Sequence, residues 1–242
     1  MADPLSGASS PRRLTAGHDV SQDRGMTTPG DDAWLELTQL IAASPVNVVV
    51  CPPHEHSSTA ATLGLGASSY LGALASNTSG VLVDDGWLRL LGGSSEKDGL
   101  PGLDEASAGT PGLLVVAHDV LGGAFALDGG ALGRGDGSVH HFSVDSLCWE
   151  DLEVGHADFV TRMLAGATVS FYESLRWPGW QDDLADLRPE QGLSLYPYPF
   201  TAEGKDVGSA SKQAVPMAEL LGMYNDVAAQ LGLSRGVPVS WS

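Results

Sequence analysis

From Val46 to Glu150 the chain is a succession of short apolar runs separated by turn-forming residues, and from Phe159 onward the apolar spacing changes from two to three and four. No other feature of the chain restricts its fold as strongly. Runs this short suit strands, and connections this brief can join only antiparallel neighbours. The expected strands are Val46–Val50, Gly80–Val83, Trp87–Leu91, Leu113–Ala117, Ala124–Leu127, Val139–Phe142 and Ser146–Glu150, with Leu71–Ala75 read as a further β run. Asp128-Gly129-Gly130 offers the positive-φ residues of a tight turn. The stretch Gly92–Gly112 is rich in Gly, Ser, Pro and acids and reads as a mobile loop.

Helical spacing brackets this β region. Asp31-Asp32 opens a helix with Trp34, Leu37 and Ile41 on one face, which Pro45 stops, and a short helical stretch is expected near Ser57–Leu63. Phe159, Val160, Met163 and Leu164 form i, i+4 pairs, and Val169–Leu175 continues helically. Pro178 suits the first position of a helix carrying Trp180, Leu184 and Leu187. Gln191–Gly208 contains Tyr196-Pro197-Tyr198-Pro199-Phe200, which cannot be helical and reads as a packed irregular connection. The last helix places Met217, Leu220, Leu221, Tyr224, Val227 and Leu231 on one face, with Pro216 in its first turn and Gly232 past its end. No linker separates the two kinds of pattern. The expectation is therefore a single α+β domain over residues 31–234, a mostly antiparallel (mixed) sheet covered by N- and C-terminal helices. Residues 1–30 read as a disordered tail in which Met26 is a candidate start, and residues 235–242 as a C-terminal tail.

The 242 residues hold 30 acidic against 12 basic side chains, a net charge of −18. The basic residues are scattered, which excludes the clustered cationic face that nucleic acid requires and leaves a basic protein surface as a candidate partner, beside the plainer reading that the acidity serves solubility alone. Only Cys51 and Cys148 are present, far apart in sequence, which fits a reducing cytoplasm. No run reaches the apolar length of a membrane span. Arg12-Arg13 is not followed by the apolar region of an export signal.

Several groupings have the residue types of a site. Cys51, His54, Glu55 and His56 could supply metal donors, but no second ligand pair follows at a recognisable spacing, so no metal or cofactor is expected. His118-Asp119 ends an apolar strand, yet runs into a Gly-Gly turn with no nucleophile motif nearby. Gly133-Arg134-Gly135-Asp136-Gly137 resembles a phosphate-cradling loop but precedes a strand, not a helix. Cys148 lacks the electropositive setting of a catalytic thiol. Asp84-Asp85-Gly86 reads as turn chemistry. Arg89, inside an apolar strand, requires a carboxylate, an aromatic ring or a ligand. The densest cluster is Phe171-Tyr172-Glu173-Ser174-Leu175-Arg176-Trp177-Pro178-Gly179-Trp180. Tyr172, Arg176, Trp177 and Trp180 are either a core corner or, with Arg89, a partner-facing patch.

The runs Gly80-Val-Leu-Val-Asp-Asp-Gly-Trp-Leu-Arg-Leu-Leu-Gly-Gly-Ser94, Asp119-Val-Leu-Gly-Gly-Ala-Phe-Ala-Leu-Asp-Gly-Gly130, Phe171–Trp180 and Val215-Pro-Met-Ala-Glu219 resemble those of the bacterial domain-of-unknown-function family 2625. The similarity spans roughly residues 31–222. More weakly, the chain resembles the SUKH superfamily of Smi- and Knr-type α+β proteins, which implies an immunity-like or scaffolding role. The chain departs from the family pattern at His118, His140 and His141, where that pattern has an acid and two aromatics. Two functions follow as expectations. One is a non-enzymatic, cytoplasmic protein-interaction module; the other is a small enzyme using carboxylates such as Asp119 or Glu173 in a cleft, with Gly92–Gly112 as its lid.

Overall fold

The structure, a computed structural model, describes residues 29–55, 57–94 and 99–233. The expected tails, Met26 and His56 lie outside the described residues, except that the first helix already begins at Pro29. Seven strands form one antiparallel sheet in chain order: β1 (Val48–Cys51), β2 (Gly80–Val83), β3 (Leu88–Leu91), β4 (Leu113–Asp119), β5 (Ala124–Asp128), β6 (Val139–Ser143) and β7 (Cys148–Asp151). Every neighbour in the sheet is also a neighbour in sequence: tight turns join β2 to β3, β4 to β5 and β6 to β7, whereas the β1–β2 connection carries α2 (Thr59–Thr62) and a longer helix, and the β3–β4 connection a short one. A separate hairpin pairs β8 (Gln191–Tyr196) with β9 (Ser211–Pro216).

Strand register sorts side chains onto two faces. Val49, Leu82, Arg89, His118, Ala124, Phe142 and Trp149 stand in one cross-strand row. Val50, Val81, Leu90, Ala117, Phe125, His141 and Glu150 form a row on the opposite face. Helices α5 (His156–Arg162) and α6 (Thr168–Phe171), joined by a π-helical turn, cover the second face through Phe159 and Phe171, whose rings lie 4.8 and 5.7 Å from Phe125. α1 (Pro29–Ala42) packs on α3 (Tyr70–Asn77) and on the π turn, with Leu37 buried. On the first face lie β8, β9 and α8 (Met217–Gln230), whose apolar stripe Met217, Leu220, Leu221, Tyr224 and Ala228 is buried. The segment between α6 and β8, which includes α7 (Trp180–Leu184), therefore carries the chain from one face of the sheet to the other around its end.

The α+β class and the antiparallel sheet are as the apolar periods predicted, and five local readings change. Leu71–Ala75 is not a β run but the middle of α3: Ser69 caps it by accepting from the Gly72 N–H at 3.0 Å, and the helix is buried on several sides, which removes the amphipathic period. The described part of Gly92–Gly112 is not a bare loop. It carries α4 (Leu103–Ala106), which packs on β4 and buries Leu100, Leu103 and Ala106. Asp128-Gly129-Gly130 starts a long loop instead of a two-residue turn. Pro178 precedes α7 by two positions, because Gly179 takes a left-handed φ of 82° to bring Trp180 back onto the sheet. Gln191–Tyr196 is a strand whose partner lies beyond two intervening prolines, Pro197 and Pro199, which sit in the connection, while Pro216 ends β9, where no ladder N–H is needed.

Candidate functional site

The end of the sheet at the β2–β3 and β4–β5 turns brings together the buried polar groups Asp84, Arg89, His118, Asp119, His141 and Thr168. Asp84, at φ 57° in the first turn, accepts hydrogen bonds through Oδ2 from Thr168 Oγ1 at 2.7 Å and from Arg176 Nη2 at 2.5 Å. The Arg176 guanidinium lies 4.3 Å from the Trp180 ring centroid, 4.8 Å from Trp87 and 5.7 Å from Tyr172. Those faces stabilise a desolvated cation, while Asp84 supplies the counter-charge. Trp180 meets Trp87 edge to face at 5.1 Å, and Trp177 donates from Nε1 to Asp183 Oδ2 at 2.6 Å. Trp177 and Trp180 are only 6% and 8% exposed, and Tyr172 is fully buried. This region locks the chain as it rounds the sheet, the packing reading of the cluster.

Asp119 plays the corresponding part in the β4–β5 turn. Its Oδ1 accepts from the N–H groups of Leu121 at 2.9 Å and Gly123 at 2.8 Å. A Cβ on Gly123 would sit 2.1 Å from Asp119 Oδ2, so the Asp-Val-Leu-Gly-Gly run is one unit in which the carboxylate fills the missing side chain's place. Oδ2 faces His141 Nε2 at 3.9 Å and the Tyr172 hydroxyl, with neither in good hydrogen-bond geometry. Burial, then the Asp119 charge, pushes the Tyr172 phenol well above its usual range. His118 points to the opposite face beside Arg89. Burial lowers its pKa to about 4, with Arg89 adding to the effect and Asp119 opposing it, so the imidazole is neutral at pH 7. His118 and Asp119, adjacent in sequence, are thus on different faces of the sheet and do not form a catalytic pair.

Arg89 is 2% exposed, and its expected carboxylate partner is replaced by backbone. Nη1 donates to the carbonyls of Pro189, at 2.6 Å, and Gln191, and Nε to that of Gly86 at 3.3 Å. These bonds fasten the start of β8 to the sheet. Burial lowers the Arg89 pKa to about 10, against the attraction of Asp119 and Glu190, so the group remains a cation at pH 7. Nη2 has no acceptor among the described residues, and Arg89 lines a groove of about 330 Å³. The groove lies where the first face of the sheet is uncovered, between Val49 and Leu82 on one side and Leu184 and Leu187 on the other, with Asn47, Asp85 and Gln181 as its further polar groups. Sequence reasoning singled out Arg89 but missed the other lining residues; the available signal was a lone cation in an apolar strand next to the exposed Asp85.

The remaining sequence candidates resolve into structural roles. The loop after β5 folds around the Asp128 carboxylate, which accepts from the N–H groups of Gly130, Leu132, Arg134 and Gly135 at 2.8–2.9 Å. Desolvation alone would raise the Asp128 pKa; the four donors outweigh it and hold the carboxyl far below its usual range. The phosphate-loop resemblance of Gly133–Gly137 is thus explained, since the cradle forms around an internal anion. Among the described residues no cluster of three or more His, Cys, Asp or Glu side chains is arranged to hold a metal ion. No described helix is long and apolar enough to cross a membrane. Two further cavities, of about 280 and 360 Å³, lie beside Phe171 and Met163 and beside Arg134 and Glu153.

An Asp-Asp-Gly-Trp turn, an Asp-Val-Leu-Gly-Gly turn and the Arg-Trp-Pro-Gly-Trp corner thus meet at one end of the sheet. The chain belongs to the family described as protein of unknown function DUF2625, matched over residues 24–220. An uncharacterized protein of Haemophilus influenzae is 36% identical over 183 residues, covering 71% of this chain and 79% of that protein. A putative uncharacterized protein of Escherichia coli K12, YbfG, is 31% identical over 173 residues, covering 69% of this chain and 80% of its own. No solved structure matches. In this DUF2625 chain, the two turns and the corner are held by buried ion pairing and turn capping.

Proposed function

We propose that this DUF2625 protein is a non-enzymatic protein-interaction module, and that its contact element is the outer edge of β1. The observation that carries the reading is the state of that edge. β1 ends the sheet, no described strand pairs with its outer side, and Val49 and Val50 are 49% and 37% exposed. Val48-Val-Val-Cys51 has neither charge nor proline within it to discourage strand addition, although its four residues keep the ladder short. The net charge of −18 favours a basic partner segment by steering its approach. Arg89, Tyr172, Arg176, Trp177 and Trp180 act in this reading as the frame that holds the sheet in shape behind the edge. The enzymatic alternative gains no support: Asp119 is buried and bound to its own turn, Glu173 is exposed, and neither lines the cavities described above.

The test is a crosslinking pull-down from native cells with the wild-type chain, Val49→Lys combined with Val50→Lys, and Trp180→Ala. The edge variant is expected to keep its melting temperature and lose the specific, stoichiometric partner. Trp180→Ala should lose stability, by ~3 kcal/mol, without changing the partner's identity. Identical captures by wild type and the edge variant would end this reading.

A further inference from the structure

We propose that the groove above Arg89 is a binding site for a small zwitterion, a free α-amino acid with a branched apolar side chain. This goes beyond strand addition at β1 and does not depend on it. Arg89, which lines the groove, is a cation already desolvated and held rigid. Three hydrogen bonds to the Gly86, Pro189 and Gln191 carbonyls fix Nε and Nη1, leaving Nη2 without an acceptor among the described residues. A guanidinium fixed in this way binds a carboxylate without the ordering cost that a mobile side chain incurs. Glu190, whose charge also acts on Arg89, is engaged at 3.0 Å by Arg188.

The second charged group selects among carboxylates. Asp85 is exposed at the same groove, and one of its oxygens, Oδ1, accepts from Asn47 Nδ2 at 2.8 Å, which leaves Oδ2 for a cation. A simple anion on Arg89 would meet the repulsion of Asp85 and of a chain with net charge −18, whereas a ligand that brings its own ammonium turns the first repulsion into attraction and escapes the second. Between the two charges lie Val49, Leu82, Leu184 and Leu187, which provide an apolar wall for the side chain. A volume of about 330 Å³ lies at the small end of ligand sites and has room for an amino acid of leucine's size.

The probe is L-leucine, titrated into ¹⁵N-labelled full-length protein, with 4-methylpentanoate and L-leucinamide as the analogues lacking the ammonium and the carboxylate. Saturable shifts at the amides of Leu82, Arg89 and Leu184 are expected with L-leucine, and binding of either analogue about tenfold weaker or more. Arg89→Ala risks the fold, as would a charge at the buried Leu184, so Asp85→Asn and Ala185→Trp, both at exposed lining positions, provide the variants. Asp85→Asn should weaken L-leucine while leaving 4-methylpentanoate unchanged or tighter, and Ala185→Trp should abolish binding by filling the groove with the spectrum otherwise retained. Absence of saturable shifts with L-leucine, equal binding of 4-methylpentanoate, or unchanged titration of Ala185→Trp would each overturn the site. None of these results bears on the β1 edge, whose test uses different variants and a different readout.

Discussion

Asp84 and Asp119 stand in turns at the same end of the sheet, both buried, and the fold treats them differently. Asp84 gives one oxygen to a hydroxyl and a guanidinium and compensates a cation enclosed by three aromatic rings. Asp119 spends one oxygen on its own turn, while the other faces His141 and Tyr172 with no hydrogen bond of good geometry. The first acid is needed for its charge, the second mainly for its shape and its acceptor. A buried carboxylate is therefore not by its burial a sign of catalysis; what decides is whether charge, acceptor or reactivity is the property the surroundings use.

Substitutions that keep shape and remove charge separate the two acids. Asp84→Asn leaves Arg176 buried without a counter-charge and should lower unfolding free energy by ~3 kcal/mol or more in urea denaturation, with Arg176→Ala costing a similar amount. A loss below about 1 kcal/mol would mean that the aromatic faces alone hold the cation. His118, close to Asp119 but on the opposite face, gives the next effect. Its folded pKa of about 4 lies below the ordinary 6.5, so the native state refuses a proton that the unfolded chain accepts. Its stabilising contribution is complete above pH 6.5 and is lost as pH falls toward 4, roughly 3 kcal/mol in total. Denaturation midpoints at several pH values should show this slope in the wild type and a reduced one in His118→Gln. The smallest effect is expected at Asp119→Asn. The amide keeps an acceptor for Leu121 and Gly123 and turns a donor toward His141 and Tyr172, so stability should change by less than about 1 kcal/mol. A loss as large as that of Asp84→Asn would show that Asp119 is also used for its charge.

Parts of this arrangement were readable in the chain and parts were not, for reasons visible at particular residues. β2, β3 and the β6–β7 hairpin, and the α8 stripe from Met217 to Ala228, follow from local period and punctuation, since the strands pair with their neighbours in sequence and the stripe repeats at helical spacing. α3 escaped because a helix buried on several sides loses its polar stripe, and only the Ser69 cap marks it. The β8–β9 hairpin escaped because Gln191 pairs with Pro216 across a proline-rich connection, a long-range match that no local pattern announces. At the site, the aromatic corner and Arg89 stood out by residue type, whereas Asn47, Asp85, Gln181 and Leu184 are ordinary residues made into a groove by what lies opposite.

The order of residues alone was enough for the α+β class, the antiparallel sheet and the family, because periodicity and turn chemistry are local and the matching runs are contiguous. Only folding in three dimensions decided that Arg176 belongs to Asp84, that His118 and Asp119 turn to opposite faces, and that Arg89 ends on backbone carbonyls in the lining of a groove. Those outcomes depend on desolvation and on partners tens of residues away, and such partners exist only once the chain has closed around the end of the sheet.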